Sequence, residues 1–139
     1  RYQVIQPEYN LYARYSLEGP LLDIAQQESI GVVTYFALAA GFLTGKYRSE
    51  ADLDGASRRE MVRKYLDERG RRILAALDEV AAAHHAKPAE VAIAWINARD
   101  GVTAPIASAT TSDQLHSLFR AVELDLAEGE IAALDAASA

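Results

Sequence analysis

A chain of 139 residues, 50% hydrophobic and 24% charged, has the length and balance of one globular domain with a real core. Its formal charge of −6 argues against a nucleic-acid surface, which needs a basic patch. With no cysteine it holds neither a disulfide nor a thiolate metal site, a composition at home in a reducing cytoplasm.

The first ten residues mix Arg1, Glu8 and polar groups and carry no signal-peptide pattern. The longest apolar stretch, Ile30 to Leu43 broken by Thr34, falls short of the roughly 20 residues of a membrane span. The chain opens with Arg1 and has Met61 as its one methionine, which suits a piece of a longer polypeptide.

Tyr2 to Gln6 alternate as a short strand that Pro7 ends. A tyrosine-rich loop runs through Tyr15, and Pro20 opens a helix to about Ser29, with Gly31 as its stop. Gly31 to Tyr35 (GVVTY) reads as a strand buried on both faces. Phe36 to Ser57 shifts to Gly, Ala, Asp and Ser, a long loop of the kind that is functional or disordered. Leu66, Ile73, Leu74, Leu77, Val80 and Ala81 recur at helical spacing, predicting a helix that ends near His84 and His85. The charged run from Arg58 to Arg72 reads as a solvated helix face with pairs such as Glu68 and Arg72. Pro88 opens another helix with Val91, Ala94, Trp95 and Ala98 on its apolar face, Trp95 belonging to the core. After a turn at Asp100-Gly101, Val102 to Ala107 reads as a third strand. Thr111 and Gln114 form a capping box for the next helix, and a last helix runs from about Glu128 to Ala137. Strands alternating with helices in this way call for parallel pairing with right-handed crossovers.

Two strand-to-loop junctions carry chemical promise. In YFALAAGFLTGKY, Tyr35 to Tyr47, Gly41 and Gly45 let the backbone approach a ligand, and Lys46 offers a point charge for phosphate. It is not a P-loop: the spacing between the glycines is one residue short, and Tyr47 stands where Ser or Thr is required. In APIASATTSDQL, Ala104 to Leu115, small residues lead into a capped helix whose free N–H groups and dipole favour an anion. Taken alone, the first junction is also a glycine-containing surface loop and the second a simple helix cap.

Together with QPEYN at Gln6 to Asn10, in this order, the two junctions resemble the C-terminal part of the aldo-keto reductase family, over nearly the whole chain. The resemblance implies α/β architecture: a partial (β/α)8 TIM barrel, about the last three β/α units with parallel strands, residues 1–139 forming one domain incomplete alone. In such barrels the loops after the last two strands commonly hold phosphate. The resemblance further implies that Gln6 hydrogen-bonds the nicotinamide carboxamide and that Tyr35 stacks on the nicotinamide ring. It places Leu38, Gly41, Thr44 and Lys46 around the pyrophosphate, and Ser108, Thr110 and Gln114 at the adenosine end and its 2′-phosphate. The implied cofactor is NADP (NADPH). Many relatives carry Arg or Lys near the position of Thr110 where this sequence has hydroxyls, which leaves NAD open beside NADP.

Carbonyl reduction in this family also needs a tyrosine acid, helped by a lysine, an aspartate and a histidine, from the first half of the barrel. No Asp here is followed five residues later by Tyr, and Lys46, Lys64 and Lys87 lie outside strands, so no catalytic and no metal residue is assigned. His84, His85 and His116 read as solvent-facing or helix C-terminal charges, and Tyr2, Tyr9, Tyr12, Tyr15, Tyr47 and Tyr65 as packing or rim residues. A complete barrel takes about 250 residues. Three strands leave open edges, so the chain is expected to pair with the missing N-terminal half-barrel or to self-associate. Three readings follow: a segment of an NADPH-dependent reductase of aldehydes or ketones, inactive by itself; a catalytically inactive nucleotide-binding or interaction module; or a non-binding remnant.

Overall fold

The structure, a computed structural model, describes residues 1–139. Its strands β1 (Val4–Ile5), β2 (Gly31–Thr34) and β3 (Ala104–Pro105) form one parallel sheet in the order β1-β2-β3. Val4 pairs with Gly31 and Ile5 with Val32, while Val33 pairs with Ala104 and Thr34 with Pro105. The two outer strands are shorter than the sequence predicts, because each hydrogen-bonds only to β2, which spans four residues. β2 itself is not buried on both faces: Val32 and Thr34 are buried, Val33 is half-buried and Tyr35 emerges. One face of the sheet is packed and the other is open.

Helix α1 (Pro20–Gln27) starts at its proline as expected. Its stop is Ser29, not Gly31: Ser29 takes a left-handed φ of 52° while Ile30 N–H returns to the Ala25 carbonyl at 2.8 Å. Gly31 already belongs to β2.

Residues 36–57 fold into the core. Ala37, Ala39, Ala40, Phe42, Leu43 and Leu53 are buried, and 3-10 turns form at Ala39–Thr44 and Glu50–Leu53. The charged run then divides. α2 (Arg59–Arg63) ends before Asp67, whose carboxylate caps α3 (Glu68–Ala83) by accepting from Gly70 N–H at 2.7 Å. Gly70 has no room for a side chain, since a Cβ there would stand 1.8 Å from the Tyr65 carbonyl oxygen. The anticipated Glu68–Arg72 pair does not form; Arg72 reaches the Ala139 carbonyl, and half-buried Arg69 donates to the Ser138 and Tyr12 carbonyls.

α4 (Pro88–Asn97) is the centre of the molecule. Every residue from Glu90 to Ile96 is buried, so it has no single apolar face, and Ala98 lies exposed just beyond it. It packs against α3, α5 (Ser112–Glu123), β3 and the Ala39–Thr44 turn. Trp95 is fully buried, stacked on Tyr9 at 5.3 Å, its Nε1 donating to Asp135 of α6 (Glu128–Ser138) at 2.9 Å. Arg14, Glu18, Arg99 and Asp135 complete a half-buried ion-pair network around that ring. No helix is long and apolar enough to cross a membrane.

Candidate functional site

Because the three strands are parallel neighbours, the segments that follow them leave by the same end of the sheet. Ile106 N–H donates to the Thr34 carbonyl at 2.7 Å, so the two junctions start side by side. Gln6, beyond β1, is exposed. Tyr35 is gripped from the same segment: its N–H donates to the Pro7 carbonyl at 3.0 Å and its carbonyl accepts from Tyr9 N–H at 3.2 Å. Its ring is 36% exposed and rests edge-on against Phe36 at 5.4 Å. An aromatic face so placed at a strand end suits a planar ring.

The turn after Tyr35 is unusual in its backbone. Phe36, Ala39 and Ala40 take φ of 60°, 47° and 58°, and Gly41 follows at 94°. Left-handed alanines cost roughly 1–2 kcal/mol each, and their complete burial holds them there. Half-buried Leu38 accepts from both Gly41 N–H (2.9 Å) and Leu43 N–H (3.2 Å), and the Thr44 hydroxyl donates to the Gly41 carbonyl at 2.7 Å. Lys46 lies along Gly41, where a Cβ would sit 3.6 Å from the lysine Cε, and its ammonium stands 4.7 Å from the centre of the Tyr47 ring. It makes no ion pair. Arg48, by contrast, is spent on structure: it grips Asp78 of α3 with both terminal nitrogens (2.6 and 2.8 Å) and the Gly45 carbonyl with Nε. A free ammonium beside a glycine turn suits an anionic ligand.

The junction after β3 is exposed from Ile106 through Ser108. Thr111 caps α5 by accepting from Gln114 N–H at 3.2 Å, but the other half of the expected box is displaced by one residue. The Gln114 Oε1 accepts from the N–H (2.8 Å) and hydroxyl (3.0 Å) of Thr110 rather than from Thr111. Thr110 presents two donors together to the Gln114 side chain. Ser108 and the start of α5 offer donors to an anion, against the carboxylate of Asp113 in the first turn, whereas both donors of Thr110 are taken by Gln114. At this end of the sheet the groups left open to a ligand are the exposed Tyr35 ring, the exposed Lys46 and the exposed junction after β3, while the hydroxyl of Thr44 and the N–H groups of Gly41 and Leu43 bond within their own turn. Beside them a cleft of about 320 Å³ is lined by Glu8, Phe36, Glu60, Met61, Lys64 and Tyr65.

Tyr9, Tyr12 and Tyr65 are poor acids. Burial and the bond to Glu18 push the Tyr9 phenol far above its ordinary range, and it donates to that carboxylate at 2.6 Å. Burial and Asp67 raise Tyr12 to about 12, and burial raises Tyr65. His84 ends α3 and pairs with Glu130 at 2.8 Å, while His85 and His116 are exposed. No three His, Asp or Glu side chains converge as a metal site.

Two buried polar residues, Asn10 and Glu90, join segments distant in the chain. Asn10, fully buried, donates from Nδ2 to the Phe36 carbonyl at 3.0 Å and accepts at Oδ1 from the N–H groups of Tyr12 and Ala13, both at 2.9 Å. Glu90 joins α4 to α5 by accepting from Ser117 (2.5 Å) and Arg120 (2.5 and 3.0 Å). Burial alone would raise the Glu90 carboxyl, but the bonds from Arg120, Ser117 and the Lys87 N–H outweigh it and hold it below the ordinary range. The Asn-x-Tyr-Ala spacing is compatible with an Asx turn at Asn10, and Glu90, in the first turn of α4, stands where a glutamate accepts from the Lys87 N–H, as it does at 3.0 Å; neither pattern points to the partner across the fold.

Comparison with known proteins follows the same line. The family model for the aldo/keto reductase family matches residues 1–139. Protein tas of Escherichia coli K12 is 33% identical over 138 residues, which is 98% of this chain and 40% of that protein. L-glyceraldehyde 3-phosphate reductase of the same organism is 31% identical over 137 residues, 94% of this chain and 40% of that protein. Among solved structures, the thermostable aldo-keto reductase Tm1743 in complex with the inhibitor epalrestat superimposes with a TM-score of 0.69 at 25% identity, covering 96% of this chain and 39% of that one. The chain thus spans 40% of the length of these two curated relatives.

Proposed function

The chain belongs to the aldo/keto reductase family, and we propose that it is the C-terminal, cofactor-binding part of a cytoplasmic, NADPH-dependent reductase barrel that converts aldehydes or ketones to alcohols. The observation that supports this reading is the departure of both turns from one end of adjacent parallel strands, with Gln6, Tyr35 and Lys46 all exposed. Gln6 would hydrogen-bond the carboxamide of the nicotinamide, and the Tyr35 face would orient the ring. Leu38, Gly41, Thr44 and Lys46 would enclose the pyrophosphate, with Lys46 supplying the one unpaired charge of that turn. Ser108, Thr110 and Gln114 would take the adenosine end. Thr110 spends both its donors on Gln114, so gripping a 2′-phosphate requires Gln114 to turn away, and NADPH must be compared with NADH. Bound in this way, the cofactor supplies hydride; the proton for the carbonyl oxygen comes from elsewhere.

No tyrosine with a resolved shift is tuned toward neutrality, since Tyr9, Tyr12 and Tyr65 all move away from it. The chain alone is therefore expected to bind cofactor without turnover. Its open flanks suit a complementary half-barrel: Tyr2 and Val4 are exposed on the β1 edge, and Leu115, Phe119 and Val122 form an exposed apolar stripe on α5.

The test is a fluorescence titration with NADPH and NADH, followed by assay against a generic aldehyde and L-glyceraldehyde 3-phosphate. Binding without turnover is the expected result. Absence of binding removes the reading, and turnover by the isolated chain places the acid within it. Light scattering should show self-association; a stable, cooperative monomer removes the half-barrel pairing.

A further inference from the structure

We infer that Asn10 is a positioning residue for the Tyr35 ring, and that the segment from Pro7 to Asn10 is a clamp on that ring, beyond the one contact expected of Gln6. The inference rests on the proposed cofactor site. Pro7 and Tyr9 hold the peptide groups on either side of Tyr35, through bonds of 3.0 and 3.2 Å. Asn10 then holds the next carbonyl, that of Phe36, at 3.0 Å.

The hold on Phe36 matters because that residue sits in a conformation a large side chain avoids, at φ 60°. Its ring packs against that of Tyr35 in a T-shaped contact, at 5.4 Å and 71°. Release of the Phe36 carbonyl frees the backbone to leave the left-handed region, and the Phe36 ring moves with it. Tyr35 then loses its backing, while Gln6 and the β1–β2 pairing stay in place.

Asn10 is suited to this task by having two ends. Its Oδ1 organises its own loop by accepting from Tyr12 and Ala13, so the donor end is fixed in direction before it meets Phe36. The residue is completely buried, so water does not compete for either bond. Of the three bonds made by the Asn10 side chain, the one from Nδ2 crosses from the segment bearing Gln6 to the segment bearing Tyr35, where it adds to the backbone bonds of Pro7 and Tyr9. Asn10 thus sets the spacing of two groups that would address opposite parts of one nicotinamide, without touching it.

Asn10→Asp keeps the acceptor for Tyr12 and Ala13 and removes the donor to Phe36; Asn10→Ala removes both. Both variants and the parent chain are titrated with NADPH, which reports the nicotinamide end, and with 2′,5′-ADP, which lacks that end. The expected result is an NADPH affinity lower by about tenfold in both variants, with a smaller rise in nicotinamide fluorescence on binding. Affinity for 2′,5′-ADP stays within about twofold of the parent, since the turn after β3 is untouched. Unchanged NADPH binding overturns the inference. Equal loss of both ligands also overturns it, because Asn10 would then act on the fold as a whole. A parent chain that binds 2′,5′-ADP but not NADPH overturns it as well. If the parent binds neither, the cofactor reading itself fails and the inference falls with it.

Discussion

The turns after β2 and β3 leave neighbouring strands at the same end, yet they are built in opposite ways. The first is part of the core. Phe42, Leu43, Ala39 and Ala40 are buried, α4 packs beneath it, and its left-handed backbone is held by surrounding side chains. The second lies open and is shaped only by bonds within five residues of one another, from Thr110 and Thr111 to Gln114. A rigid turn can be preorganised for a ligand feature that does not vary, as a pyrophosphate does not. An open turn held by its own side chains can rearrange, which suits the end where NADPH and NADH differ.

That contrast is open to direct attack, beginning with packing. Phe42 is fully buried and stacked on Tyr65 at 5.3 Å. Phe42→Ala should cost about 3–5 kcal/mol in urea unfolding. Leu115→Ala, at a residue 46% exposed in the second region, should change stability by less than about 0.5 kcal/mol. Similar losses at the two sites would erase the distinction.

A smaller effect comes from the contact that joins α4 to the second region. Arg120→Met leaves the Glu90 carboxylate, 2% exposed, short of its main donor and should cost about 1.5–3 kcal/mol at neutral pH. The folded carboxyl of Glu90 lies below its unfolded value. Its contribution is therefore complete above the ordinary glutamate range, near 4.3, and is lost as pH falls through the lower folded value. Denaturation midpoints between pH 7 and 3 should show the parent and the Arg120→Met chain converging as acid protonates Glu90. A gap that stays constant with pH would assign the effect to packing.

Backbone strain gives a third measure. Gly41, at φ 94°, leaves a Cβ free of close contacts but in a conformation that favours glycine, so Gly41→Ala should cost about 1–2 kcal/mol. Ser108→Ala, in the open turn, should leave the unfolding midpoint where it is. Smallest of all is the cap. Thr111→Ala should cost about 1 kcal/mol and speed hydrogen exchange at the start of α5 alone, leaving protection in residues 39–44 unchanged. If exchange rises in both turns, they are one cooperative unit and the comparison fails.

Much of this was legible along the chain, for reasons that act over a few residues. Pro20 and Pro88 mark helix starts because their ring fixes φ and their missing N–H is not needed there. Trp95 was rightly placed in the core from its apolar neighbours. The misses share a different cause. Gly31 has the residue type of a helix stop because glycine favours the left-handed region, but Ser29 fills that role and Gly31 enters β2. Thr111 caps α5 as its spacing predicts, but the return bond of Gln114 goes to Thr110, because a side chain bonds the donors within its reach. The run from Phe36 to Ser57 looked like a surface loop because small residues and scattered apolar ones have no period; burial of Phe42, Leu43 and Leu53 needed α2, α3 and α4 to cover them.

By itself the sequence determined the alternation of strands and helices, the helix starts set by proline, and two turns rich in glycine and hydroxyls, because those depend on chemistry between near neighbours in the chain. Only tertiary structure decided that the turns stand side by side, that Asn10 reaches Phe36 and that Glu90 meets Arg120. Each of those contacts joins segments distant in sequence, and its worth comes from the water excluded when they pack, a quantity that no stretch of chain possesses before it folds.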